Sequence, residues 1–311
     1  MSDVATARAL LESLGDFGAH FTGDDVAHLE VNGNEVVGAH LVPGLDVDVT
    51  QLADGIEAHI RLHEGVRIAN PVHLCFGMLP TDGLQHIVMK VDVEADSFAS
   101  VQAHCTFPNA IDITHKMDAV VNIAPGATYE YFERHLHGAH GGVLVVPKTL
   151  VNIGAGARFR TEFELVKGRA GVIDFDYEAD CDARSTLEMI TRIIARGHDT
   201  VKIRETGRLN GEGARAVLQS YLALRGDARA EVYNTLTASA PYARGHVDCK
   251  EIVQDRAVAK AVPIVEVSHP LAHITHEAAI GSVDSRQLQT LMSRGLDEQR
   301  ATDLIIEGLL S

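Results

Sequence analysis

From about Ile87 to Val267 the chain alternates apolar and polar residues in short runs separated by Gly, Asp and Asn. Examples are His86-Ile-Val-Met-Lys-Val-Asp-Val93, Ala127-Thr-Tyr-Glu-Tyr-Phe132, Ala157 to Leu165, Val172 to Tyr177 and Ala230 to Thr237. A period of two puts successive side chains on opposite faces of a strand, so these runs predict many short strands, not helices. One turn recurs with them: Ala124-Pro-Gly-Ala127, Ile153-Gly-Ala-Gly-Ala157 and Leu209-Asn-Gly-Glu-Gly-Ala214 each set Gly-Ala directly before a strand. Glycine supplies the positive-φ corner and alanine a small inward side chain. Strand, glycine corner, strand, with no helix between, suits a β-solenoid whose coils pair and whose corners stack. A β-sandwich is the alternative that alternation by itself leaves open.

Helical patterns flank this middle. Met1 to Phe17 reads as an amphipathic helix, followed by a mixed segment with a further helix over Asp48 to Leu62. After Gly281, Ser285 to Arg294 ends at Gly295, and Asp297 to Glu307 ends at Gly308. Asp or Ser opens each helix and Gly closes it, the chemistry of an N-cap and a C′ position. In the last helix Ala301, Leu304, Ile305 and Gly308 share one face, which Leu309 extends. The chain thus divides into an N-terminal helical and mixed region over 1–84, a β core over 85–280 and a C-terminal helical subdomain over 281–311.

With 311 residues and 46% hydrophobic content the chain can bury a substantial core. Its 43 acidic against 27 basic side chains give a net charge of −16, a field that repels nucleic-acid phosphates and anionic lipid. No run approaches the roughly 18 apolar residues of a membrane span, and the N-terminus lacks the basic start and apolar stretch of a signal peptide. A cytoplasmic protein is expected, with no nucleic-acid or membrane partner. Cys75, Cys105, Cys181 and Cys249 form no CxxC pair, which argues against a zinc ribbon or a thioredoxin-like motif and for free thiols.

The densest histidine cluster is Glu133-Arg-His135-Leu-His137-Gly-Ala-His140. On a strand His135 and His137 share a face and could chelate one divalent metal, with His140 joining from the following turn. This resembles the metal site of a cupin-like β-barrel enzyme, although Gly-Gly and apolar residues follow where that pattern expects a glutamate. Exposed strand histidines are the other reading. His104-Cys105 and the pair His246 and Cys249 are further candidate metal contacts.

The end of the chain carries the most specific signal: Cys249-Lys-Glu-Ile-Val-Gln-Asp-Arg-Ala257, Val262-Pro-Ile-Val-Glu-Val267, His269-Pro-Leu-Ala-His-Ile-Thr-His-Glu-Ala278, Ile280-Gly-Ser-Val283, Ser293-Arg-Gly-Leu296 and Ala301 to Gly308. In order and spacing these landmarks resemble the C-terminal signature of SufB and SufD, the iron–sulfur cluster assembly proteins of the SUF system. The resemblance implies a right-handed parallel β-helix with a helical C-terminal subdomain. It further implies a non-enzymatic scaffold subunit that holds a nascent iron–sulfur cluster for client proteins. Such a subunit pairs with itself or a paralogue and docks a SufC-type ABC ATPase through its C-terminal helices. The chain has no G-x-x-x-x-G-K-[ST] of its own, so the nucleotide site would lie in that partner. His276 falls on the histidine shared by SufB and SufD, Glu277 on the glutamate that follows it in SufB, and Cys249 on a cysteine before the penultimate strand. Thr275 replaces a SufB glutamate and Ala257 a SufB cysteine, which leaves Cys249, His276 and Glu277 as the implied cluster and metal ligands. The missing cysteine also fits a SufD-like interaction subunit that binds no cluster.

Overall fold

Among the described residues nineteen strands carry the alternating runs. In chain order they are β1 (His28–Asn32), β2 (Glu35–His40), β3 (Leu45–Gln51), β4 (Ile56–Leu62), β5 (Val72–Gly77), β6 (Asp82–Val93), β7 (Phe98–Phe107), β8 (Asp112–Ile123), β9 (Thr128–His137) and β10 (Val143–Ile153). There follow β11 (Arg158–Lys167), β12 (Val172–Cys181), β13 (Thr186–Ala195), β14 (Thr200–Leu209), β15 (Arg215–Leu224), β16 (Arg229–Ala238), β17 (Arg244–Val253), β18 (Val258–Val267) and β19 (His273–Gly281). These come from a computed structural model that describes residues 3–15, 23 and 25–310.

From β4 onward, strands of even number pair in parallel in one sheet and strands of odd number in the other, so each coil gives one strand to each sheet. The result is a two-sheet β-solenoid, as the alternation and glycine corners predict. A coil takes about 30 residues, and like side chains therefore stack: Asn152 donates to Asn122, and Asn122 to Asp92, each 30 residues away. Alternation then sorts the faces. On β12, Ile173, Phe175, Tyr177, Ala179 and Cys181 are buried between the sheets, and the residues between them lie outside.

One corner repeats from coil to coil up to the turn before β17. Gly65, Asp96, Gly126, Gly156, Arg184, Gly213 and Tyr242 all have φ between 56° and 75°. From Gly65 to Gly213 each donates its amide to the next corner, as in Gly126 N to Ala155 O at 3.1 Å and Gly156 N to Ala183 O at 2.8 Å. Ala127, Ala157, Ala214 and Ala243 follow the corner and are fully buried. The opposite corner has a clasp of its own: Asp199 accepts from the Arg169 guanidinium and from the amides of Ala170, Gly171 and Arg196. A buried carboxylate is tolerated there because every lone-pair direction is met.

The structure departs from the sequence expectation ahead of the core. No helix forms over Asp48 to Leu62; β3 and β4 make an antiparallel hairpin, with Leu45 opposite Leu62 and Gln51 opposite Ile56. The period of two in Ile56-Glu-Ala-His-Ile-Arg-Leu62 buries every second residue, and Ala53-Asp54-Gly55 turns the chain. β4 pairs in parallel with β6, and β5 with β7, so the parallel stack already takes in residues before Leu84. The helix expected over Met1 to Phe17 is α1 (Asp3–Ser13), which packs Leu10 and Leu14 against Cys75; Met1, Ser2, Asp16 and Phe17 lie outside the described residues.

At the other end, α2 (Ser285–Met292) and α3 (Glu298–Leu309) follow β19. Asp284 and Asp297 cap them, accepting from Gln287 N at 2.7 Å and Arg300 N at 2.8 Å. Gly295 closes the first helix with φ 95°, whereas Gly308 lies inside α3. The face of α3 that meets the solenoid is Ala301, Thr302 and Ile306, with Leu310 beyond it, packed against Ile194 and Ala223. Leu304, expected on that face, is 47% exposed.

Candidate functional site

Cys249 sits on β17, whose inward residues are Val247, Cys249 and Glu251, all buried. Its Sγ accepts from Asn234 Nδ2 at 3.6 Å, and Asn234 also donates to Ser220 Oγ at 2.9 Å. Behind Ser220 lies Glu205, which accepts from Thr191 Oγ1 at 2.7 Å. A file of polar side chains from Thr191 to Cys249 thus runs through the interior of the solenoid. Burial, with Glu251, Glu205 and Asp248 nearby, pushes the Cys249 thiol up to about 12, so it is a neutral thiol while covered. Burial also raises Glu205 to about 7; Glu251 rises to about 7 through burial and its neighbour Asp248.

His276 and Glu277 lie on β19, the last strand of its sheet. Val247 is paired with His276, Asp248 with Glu277 and Cys249 with Ala278. By alternation His276 shares the inward face with Cys249, two positions from its partner, whereas Glu277 is on the outer face with Asp248. Asp248 there accepts from the Tyr221 hydroxyl at 2.8 Å and from Lys250 Nζ at 3.0 Å. Within one chain, therefore, Cys249 and His276 are brought to one face and Glu277 to the other. Among the described residues no coil follows β18 and β19, and the inward face of the last coil is open: His276, Val265, Val267 and Ile280 are exposed. Ala257 is a buried corner residue before β18.

The histidine cluster lies midway along the solenoid, four strands from β17 in the same sheet. His135 and His137 do share a face of β9, but it is the inner one, and both are buried; His140 is exposed in the following turn. They are not exposed strand histidines. Cys105 of β7, His115 of β8 and Glu133 of β9 converge on His135, with ligand atoms all within 4.8 Å of one another. Sequence reading missed Glu133 and His115, since a coil of 30 residues must be known before Cys105 can be stacked on His135. His104 precedes Cys105 on β7 and is itself buried. His246 is on the outer face, with Nδ1 2.8 Å from Thr275 Oγ1.

Residues 253–309 match the family model described as SUF system FeS cluster assembly, SufBD core domain. An iron–sulfur cluster assembly SufBD family protein of Methanocaldococcus jannaschii is 38% identical over 255 residues, 82% of this chain and 81% of its own. The chain belongs to the SufBD family. A SufBD family protein of Pyrococcus horikoshii is 34% identical over 288 residues, covering 93% of this chain and 88% of its own. Similarity to the SufB of Bacillus subtilis is confined to 69 residues at 32% identity, 22% of this chain and 15% of that one. In this SufBD protein the matched core segment spans β18, β19, α2 and α3, and so contains His276 and Glu277 while Cys249 precedes it. Among the described residues no helix is long and apolar enough to cross a membrane.

Proposed function

We propose that this SufBD protein is the scaffold subunit of a SUF-type assembly complex. It holds a nascent iron–sulfur cluster, as cargo, at the open end of the solenoid, and it performs no catalysis of its own. The observation that carries the reading is the common inward face of Cys249 and His276 next to an uncovered last coil. Thiolate is the preferred ligand of an iron–sulfur core and imidazole a weaker one, a combination that permits both capture and release. Glu277, a harder donor still, reaches such a cluster from a second copy more readily than from its own strand. Covered by Asn234, Cys249 is neutral; movement of β17 and β19 that uncovers it lets it ionise and bind iron. A SufC-type ABC ATPase docked on α2 and α3 supplies that movement, and these helices leave Leu304 and Met292 exposed for it.

Anaerobic reconstitution with iron and sulfide, with and without the co-expressed ATPase, tests the proposal. Brown protein whose iron and sulfide depend on Cys249 supports it. Protein that binds the ATPase yet stays colourless points instead to a SufD-like subunit without a cluster, the reading that the burial of Cys249 and the alanine at Ala257 favour.

A further inference from the structure

The group around Glu133 has its protons fixed by its surroundings. Gln85 Nε2 donates to the carbonyls of Gly33 and Gly77, which leaves Gln85 Oε1 as the acceptor facing His115 Nδ1 at 2.8 Å. Nδ1 therefore carries the His115 proton and Nε2 the lone pair, and that buried Nε2 has no hydrogen-bond partner among the described residues. A second relay fixes His135. The carbonyl of Arg169 accepts from His137 Nδ1 at 2.9 Å, so His137 Nε2 is the acceptor for His135 Nδ1 at 3.1 Å. The lone pair of His135 is then on Nε2, which faces Glu133 Oε1 at only 2.7 Å. Cys105 Sγ lies 3.8 Å from the same oxygen. Two imidazole lone pairs, a carboxylate and a sulfur thus point at one small volume bridging both sheets.

We propose that Cys105, His115, Glu133 and His135 form a buried binding site for one divalent ion of the zinc class. The donor set of one sulfur, two nitrogens and one oxygen suits tetrahedral zinc, whose bonds of about 2.0–2.3 Å set ligand atoms roughly 3.3–3.7 Å apart, so Glu133 and His135 must move apart from 2.7 Å while the more distant donors close in. Gln85 and His137 are the outer partners that hold the two ligating imidazoles in the required tautomer, as is usual around bound zinc. Binding replaces the thiol proton of Cys105 and any proton shared between Glu133 and His135, and these leave to solvent. Because the ligands come from β7, β8 and β9 on two successive coils, the ion is captured as the coils close, and it staples one sheet to the other. The site is far along the solenoid from Cys249 and is independent of the cluster there.

The test is metal analysis of the full chain expressed in zinc-supplemented medium and dialysed against chelator, with acid-labile sulfide measured alongside. About one zinc per chain without sulfide is expected. Cys105→Ser and His115→Gln should lose it, Gln85→Ala should weaken it about 10–100-fold, and Cys181→Ser should keep it. Cobalt-supplemented expression should give a tetrahedral spectrum with a thiolate-to-cobalt band that Cys105→Ser abolishes. One ferrous ion in place of zinc, lost in the same variants, supports the site and assigns the ion. Substoichiometric metal in the parent, or undiminished zinc in folded Cys105→Ser, overturns the proposal. If the variants do not fold, the parent cobalt spectrum decides: without the thiolate band the site is refuted.

Discussion

Cys249 and His276 face the same interior from neighbouring strands, while Glu277, next in sequence to His276, faces out beside Asp248. Cluster retention should follow that division. Cys249→Ser and His276→Ala should each lower the iron and sulfide held after anaerobic reconstitution by about tenfold, as expected for loss of a directly bound ligand or its closest neighbour. Cys75→Ser and Cys181→Ser should stay near the parent. Glu277→Ala should have the smaller effect in a single chain. An effect as large as that of Cys249→Ser would mean that the carboxylate arrives from a second copy. Equal retention in all variants would refute the site.

Docking of the ATPase is best tested without removing α3. Its Ile306 and the following Leu310 cover Ile194 and Ala223, so deletion of residues 297–311 would open the solenoid as well as remove the helix. Ile306→Ala should cost about 2–4 kcal/mol of stability, read by urea unfolding, because a buried side chain is truncated. Leu304→Glu, on the exposed side, should leave the unfolding midpoint unchanged and abolish co-purification with the ATPase. Undiminished co-purification would move the docking surface elsewhere.

The solenoid was legible in the sequence because its cause is local. Alternation sets the faces, and Gly126, Gly156 and Gly213 mark the corners that the structure stacks. Asp96, Arg184 and Tyr242 hold the same left-handed corner without being glycine, so nothing in their residue type announces them. The hairpin of β3 and β4 was misread as a helix for a different reason. Charged and apolar residues there satisfy both periods, and only pairing with β6 decides between them. The interior polar groups were hidden because their neighbours lie about one coil away. Glu133 beside Cys105, and Asn234 over Cys249, are contacts made by register and not by sequence proximity.

Glu205 makes stability depend on pH. Burial raises its carboxyl from 4.5 to about 7, so between those values the folded chain binds a proton that the unfolded chain has released. Stability then falls as pH rises from about 4.5 to about 7 and is flat above, a loss on the order of 3 kcal/mol at 1.36 kcal/mol per unit. Glu205→Gln keeps the acceptor for Thr191 and cannot ionise, so it should unfold at higher urea than the parent at pH 8 and show little difference at pH 4.5. A parent and variant that track each other across this range would show that the carboxyl titrates normally.

β18 and β19 end their sheets with a row of unpaired backbone groups, and Val265, Val267 and Ile280 stand uncovered on the inward face above them. Elsewhere that face is core: Leu236, the strand partner of Val265, is fully buried. An open edge and an apolar surface of this kind invite a second copy, whose edge satisfies the same groups across a two-fold axis. Light scattering should therefore give the mass of a dimer. Val265→Lys removes about 1.5 kcal/mol of apolar burial and sets two like charges near the axis, so the dissociation constant should rise at least about tenfold. Because Val265 is already at the surface of the single chain, the variant should fold and bind metal as the parent does. A parent that stays monomeric, both alone and with the ATPase, would show that the last coil is covered by something other than its own kind.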